Sequence, residues 1–194
     1  LSINIMDLED SCAKESLDFF SRPIHQTSIL GNYWVPFSPT SAISPNSPIE
    51  FRMMGSGEDF YSFHHSYLHM RLSVSNTPGD SFAAKACYPV NNLLHSMIRQ
   101  IDCYLNDRLI DTSNNNYAYL AYFQDLINYG SDVQTSLLTS QLWKKDTMGH
   151  FNSFVAADNV GGFDRKQYFS ANNKISLCGR LHVDLFQQRT LVPN

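Results

Sequence analysis

Charge is scarce in this sequence. Only 16% of its 194 residues are Asp, Glu, Lys or Arg, against roughly 25% in ordinary globular domains. Its 14 Lys and Arg are scattered, with no basic run longer than Lys144-Lys145, and the net charge is −4. A nucleic-acid binder needs a basic patch, so sequence-specific nucleic-acid binding is not expected. No apolar run approaches the roughly 18 residues of a membrane span. The opening stretch LSINIMDLEDSCAKE lacks the positive n-region of a signal peptide, and a start at Leu1 suggests a processed or trimmed product.

Cysteine is also sparse. Cys12, Cys87, Cys103 and Cys178 stand far apart, with no CxxC and no Cys/His pair at zinc spacing. A disulfide framework is therefore not expected, and a reducing compartment is the default. Cys103 and Cys178 fall in apolar alternation, where Cys behaves as a small hydrophobe.

Local signatures of catalysis are missing too. There is no GxSxG elbow. His65 and His69 have the i, i+4 separation of a zincin helix, but Ser66 stands where the general base belongs, and the local period is two. On a strand those histidines lie ~13 Å apart, too far to share an ion. GSGED (Gly55 to Asp59) lacks the Lys-Ser/Thr and following helix of a phosphate loop. Glu58-Asp59 supplies only part of a calcium shell. His150 and His182 are isolated in the sequence and read as structural or exposed. No catalytic residue, metal ligand or cofactor is predicted, and the protein is expected not to be an enzyme.

What is present favours strands and turns: 13 Phe, 10 Tyr and 2 Trp, with abundant Ser and Asn. Residues 1–21 could hold a short helix. Residues 22–48 carry five prolines and predict an extended arm. Ile49 to Met53 alternates apolar and polar, and so does YSFHHSYLHMRLSVS, with Leu68, Met70, Leu72 and Val74 on one face. YPVNNLLHSMIRQIDCYLNDRLID (Tyr88 to Asp111) reads as a loop, a strand and a hairpin turning at Asn106-Asp107, its polar residues outward or shaping turns. Residues 117–129 have helical spacing, with Tyr119, Tyr122, Phe123, Leu126 and Ile127 as the apolar face and Gly130 as a stop. Residues 131–143 read as a second short helix or turn, and residues 144–163 as a long loop. KISLCGRLHVDLF alternates Ile175, Leu177, Gly179, Leu181, Val183 and Leu185 on one face, a further strand. Together these elements predict an all-β antiparallel jelly-roll sandwich with one or two embedded helices. Residues 1–47 would form the arm and 48–194 the jelly-roll domain.

Several blocks in order carry a family resemblance. YPVNNLLHSMI (Tyr88 to Ile98), IDCYLNDRLID (Ile101 to Asp111) and YLAYFQDLINYG (Tyr119 to Gly130) resemble the first jelly roll of double jelly-roll major capsid proteins of nucleocytoplasmic large DNA viruses. FFSRPIHQTSI (Phe19 to Ile29), PIEF (Pro48 to Phe51), GSGEDF (Gly55 to Phe60) and TSQLWKKDTMGH (Thr139 to His150) are similar to blocks of the Polinton/Maverick and adintovirus-like group. The resemblance implies a viral structural protein, self-assembling as a trimeric pseudo-hexagonal capsomer of an icosahedral shell. It also implies other capsid proteins as partners and the virion as location, with assembly in host cytoplasm or nucleus. A single-roll minor or vertex capsid protein and a carbohydrate- or receptor-binding jelly-roll module are the alternatives. Interface candidates are the arm aromatics and aliphatics Phe19, Phe20, Ile24, Tyr33, Trp34 and Phe37.

Overall fold

A computed structural model describes residues 28–44, 47–55, 57–74, 88–169 and 173–193. The chain divides into two units, Leu1–Met53 and Met54–Asn194. In the first, the described residues form no helix or strand, and Thr40 N–H donates to the Glu50 carbonyl at 2.8 Å. Ile49 to Met53 alternates as expected of a strand but stays exposed and unpaired in any sheet. Alternation marks a segment that could be a strand; only a partner makes it one.

The second unit holds all the regular structure among the described residues. Its strands are β1 (Phe60–Tyr61), β2 (Leu68–Ser73), β3 (Asp102–Leu105), β4 (Arg108–Thr112), β5 (Lys174–Gly179) and β6 (Val192–Pro193). Its helices are α1 (Leu93–Ser96), α2 (Tyr117–Asn128), α3 (Ser131–Thr135), α4 (Val160–Tyr168) and α5 (Asp184–Gln187), with 3-10 turns at Phe63–His65 and Leu137–Gln141. The strands pair only two by two, β1 with β6, β2 with β5 and β3 with β4, every pair antiparallel.

This architecture corrects the fold expected from sequence. A jelly roll needs two multi-stranded sheets facing each other, and among the described residues there are three separate ribbons interleaved with helices. The fold is mixed α/β rather than an all-β sandwich. The double jelly-roll resemblance falls with it, and so do the readings built on that fold: a capsid subunit in an icosahedral shell, its single-roll variant and the jelly-roll binding module. The reason is physical. Period-two alternation tells which face of a strand is apolar, but it carries no count of neighbours.

Within each ribbon the sequence pattern is well honoured. In the β2–β5 pair, Leu68, Met70 and Leu72 stand opposite Gly179, Leu177 and Ile175. This shared face packs with Leu93, Leu94, Leu142 and Phe169 to form one core. Burying a side chain such as Leu94 contributes about 1.5–3 kcal/mol. The β3–β4 hairpin turns at Asn106 (φ 49°) and Asp107 (φ 61°), the left-handed pair that matches strand twist. Cys103 on β3 then joins Tyr117 and Ala121 of α2 and Val183 in a second core.

Two segments depart from expectation. α4 forms inside the stretch read as loop and its sequel, capped by Asn159, whose side chain accepts from Gly162 N–H. Gly161 is what lets it seat: a Cβ there would lie 2.1 Å from the Lys145 carbonyl oxygen. α2 forms where predicted but turns its other face inward. Tyr117, Ala121 and Asp125 are buried, while Tyr119, Phe123 and Ile127 are exposed. No helix of the described residues is long and apolar enough to cross a membrane.

Candidate metal centre

The inward strip of α2 explains the most unusual feature of the molecule. Tyr117, Ala121 and Asp125 recur every four residues and so share one helix face. Ala121 is small and fully buried, and Asp125 places a carboxylate in the protein interior with no exposure. A carboxylate there is costly unless its charge is met.

α1 supplies part of the answer. Its first residue follows Asn92, which adopts the left-handed conformation (φ 56°, ψ 51°), one that Asn tolerates better than most residues. Asn91 Oδ1 accepts from the backbone N–H groups of Asn92 (2.9 Å) and Lys144 (2.8 Å), pinning the turn. Asn92 Nδ2 then donates to Asp125 Oδ2 at 2.7 Å. One helical turn on, the fully buried His95 hydrogen-bonds the Tyr117 hydroxyl through Nδ1 at 2.9 Å.

The third participant arrives from the other end of the sequence. His182 follows β5, and its backbone N–H donates to the Tyr117 oxygen at 3.2 Å. Its Nδ1 meets Gln124 Oε1 at 2.8 Å, an oxygen that also accepts from Gln187 Nε2 at 2.7 Å. With Gln124 Oε1 as acceptor, His182 Nδ1 carries a proton, and in the neutral ring the lone pair then sits on Nε2. That Nε2 faces Asp125 Oδ1 at 3.3 Å. The rings of His95 and His182 meet edge-on, 4.7 Å between centroids.

Donor atoms of His95, Asp125 and His182 all lie within 4.8 Å of one another. Their outer atoms, His95 Nε2, Asp125 Oδ1 and His182 Nε2, have no hydrogen-bond partner. Leaving a buried polar atom unpaired costs about 1–3 kcal/mol, and each of these three clustered residues carries one such atom, so a shared partner would offset the cost. A cation fits. In a tetrahedral zinc site with bonds of ~2.0–2.1 Å, neighbouring donors stand ~3.3 Å apart. The His182–Asp125 separation of 3.3 Å is already such an edge.

The electrostatics suit that use. Burial, and then the neighbouring His182, pull His95 from 6.5 down to about 4, so it is neutral at physiological pH, the form that ligates metals. Burial pushes the Tyr117 hydroxyl well above its ordinary value, so it remains a phenol. Tyr117 and Gln124 each hold the inner ring nitrogen of one histidine, the arrangement that orients imidazole ligands. Two imidazoles and one carboxylate suit zinc and its first-row neighbours, not the all-oxygen shells of calcium or magnesium.

None of the three was singled out by sequence as a ligand. His182 was read as isolated, His95 among the polar residues facing outward or shaping turns, and Asp125 was given no role. His65 and His69 are exposed, as their strand reading required, although His65 lies in the 3-10 turn rather than on β2. Among the interface candidates, Tyr33, Trp34 and Phe37 lie exposed in the first unit, and Phe19, Phe20 and Ile24 lie outside the described residues. One signal in the sequence pointed to the site: Tyr117, Ala121 and Asp125 at four-residue intervals, a strip less apolar than its neighbour.

No protein-family model and no solved structure matches the chain. The chain is similar to an uncharacterized protein of Caenorhabditis elegans, 26% identical over 182 residues, a match covering 89% of this chain and 41% of the relative. It therefore spans about two-fifths of the length of the curated relative it matches.

Proposed function

We propose that this protein is a metal-binding domain in which His95, Asp125 and His182 hold one divalent first-row transition ion, zinc fitting best, in a structural rather than catalytic role. The observation that carries the reading is a buried cluster of three residues from three separate segments, with donor atoms within 4.8 Å of one another and an unpartnered atom on each residue. Bound there, the ion ties α1, α2 and the segment after β5 into one body and supplies the positive charge that Asp125 needs. The non-catalytic role is supported by burial. Two surface pockets, one including Lys144, Asp164 and Lys174 and the other Leu72, Val74 and Phe169, contain none of the three residues in their linings.

The test is metal content. The full chain, purified without chelator or affinity metal, is expected to retain close to one equivalent of zinc by plasma mass spectrometry and to lose thermal stability on chelation. Absence of any retained or reloadable ion, with an unchanged melting temperature under chelator, overturns the reading. The 3.3 Å His182–Asp125 contact favours one rival: a direct hydrogen bond with the Gln124 and Gln187 amides both turned over. That arrangement binds no ion, so the same measurement separates the two.

A further inference from the structure

Around α2, apolarity and burial fall on opposite sides. Tyr117, Ala121 and Asp125 form the buried strip, while Tyr119, Leu120, Phe123, Leu126 and Ile127 are 39–77% exposed. At 3.6 residues per turn these five cover ~120° of the helix circumference, centred on Phe123 and nearly opposite the buried strip. Asn128 is the one other exposed position of α2, and the helix's single charged residue, Asp125, lies on the buried side. The solvent face of α2 is therefore almost wholly apolar and carries no charge. A surface helix ordinarily shows the reverse pattern.

Contiguity makes this face an interaction surface. Single exposed apolar residues are common, but a connected patch of several hundred Å² marks a contact site. Residues three and four apart on a helix are neighbours, so the five form one stripe. At ~200 Å² for a fully exposed side chain of this size, they leave roughly 550 Å² in water at their exposed fractions. Two such faces pressed together would remove roughly 1,100 Å², which clears the ~1,000 Å² asked of a specific interface.

Chemistry selects the occupant. A charged partner would find no countercharge on the stripe. A helix that rests on a bilayer carries Lys or Arg beside its apolar face, and α2 has neither. An identical face is equally uncharged and equal in length, and an apolar core is the mark of homodimer interfaces. Phe123 lies midway along the stripe as well as midway around it. A two-fold axis through that point brings the two Phe123 rings together and keeps both stripes in contact.

We propose that the chain self-associates as a two-fold dimer through the outer face of α2, with Phe123 at its centre. This surface stands apart from the metal centre, which uses the opposite side of the same helix.

Sedimentation of the full chain over a range of concentrations tests the proposal. The wild type is expected to reach twice the mass of one chain as concentration rises. Phe123→Glu sets like charges against each other at the axis, so it should weaken dimerisation at least ~100-fold while leaving the circular dichroism spectrum unchanged. Phe123→Lys should behave the same alone, and a mixture of the two variants should recover the dimer, because opposite charges then meet. Ile127→Asp, at the edge of the stripe, should weaken dimerisation in the same direction and serves if the Phe123 variants do not fold. A wild type that stays monomeric throughout overturns the proposal, and one that also floats with phosphatidylcholine vesicles assigns the face to a membrane instead. An oligomer that survives Phe123→Glu, or Glu and Lys variants that do not pair when mixed, overturns it as well.

Discussion

Among the described residues of the second unit, two buried polar clusters are built differently. Around Arg165, which is 1% exposed, every group is met. Its Nε donates to the Pro89 carbonyl at 2.8 Å, one terminal nitrogen to the Lys144 carbonyl, and the other to Asp146 Oδ1 at 2.7 Å. Asn159 joins through its amide to the same Asp146 oxygen (2.9 Å) and to the Tyr88 hydroxyl (3.1 Å). Tyr88 also lies under the guanidinium, 5.8 Å from ring centroid to carbon. In the cluster of His95, Asp125 and His182, by contrast, Asn92 Nδ2, the Tyr117 hydroxyl and Gln124 Oε1 are paired with the cluster, while Asn92 Oδ1, His95 Nε2, Asp125 Oδ1 and His182 Nε2 have no hydrogen-bond partner. The first cluster is complete in protein atoms alone. The second leaves converging donor residues with unmet atoms, which is what the proposed cation would supply.

The largest expected effect breaks the first cluster. Arg165→Ala removes the charge that Asp146 faces and leaves two carbonyls unmet, so a loss of about 3–5 kcal/mol is expected in urea unfolding. Metal content of whatever remains folded should not change. A loss below 1 kcal/mol would show that the knot is not what holds α4.

The next effect belongs to the second cluster stripped of its ion. His95 takes up a proton near 6.5 when unfolded but only near 4 when folded. The unfolded chain therefore binds more protons across that window. Stability is full above pH 6.5 and falls as pH drops toward 4, by roughly 3 kcal/mol in all. His182, Asp125, Gln141 and Tyr117 are the polar groups facing that ring. Denaturant titrations of the chelated protein at several pH values measure the slope, and removing the imidazole in His95→Leu should abolish it.

Smaller effects sharpen the contrast between support and ligand. Tyr117→Phe leaves the His182 backbone N–H and the inner nitrogen of His95 without their partner, which should cost about 1–3 kcal/mol. It should also weaken metal binding, readable by competition with a chromophoric chelator. Gln124→Ala should cost less than about 1 kcal/mol, because Gln124 is only partly buried, yet lower metal affinity ~10–100-fold by freeing His182 to rotate. Equal metal affinity in Gln124→Ala and wild type would argue that the ring needs no such brace.

How much of this was legible in the sequence differs between cluster and ribbon. The inward faces of β2 and β5, the Asn106-Asp107 turn and the span of α2 could all be read, because each is fixed by residues close in the chain. The number of sheets could not, because pairing is a long-range choice: Leu68 meets Gly179 across most of the unit. The alternation of residues 179–185 looked like one strand, but β5 ends at Gly179, and the rest turns into the second core and α5. α4 was hidden because residues 144–163 read as one long loop, whereas Gly161 serves for close approach to the 144–145 backbone and Gly162 for approach to the Tyr88 ring. α2 misled by hydrophobicity. Its most apolar stripe faces outward, and the face that carries Asp125 is the one buried. Tertiary context had overridden the local signal there, as buried polar sites regularly require.

The left-handed turn at Asn92, the α2 strip and the residues after β5 have a consequence for the order in which this molecule can assemble. The three proposed ligands come from the early, middle and late parts of the second unit, so no fragment short of His182 contains the whole candidate site. An ion bound there closes two large loops at once and works as a reversible cross-link whose gain comes from restricting the unfolded chain. Affinity for the ion is then a measure of completed folding. If the proposed ion is bound, a chain halted before β5 lacks His182 and cannot complete the site, and a finished one must open to lose the ion.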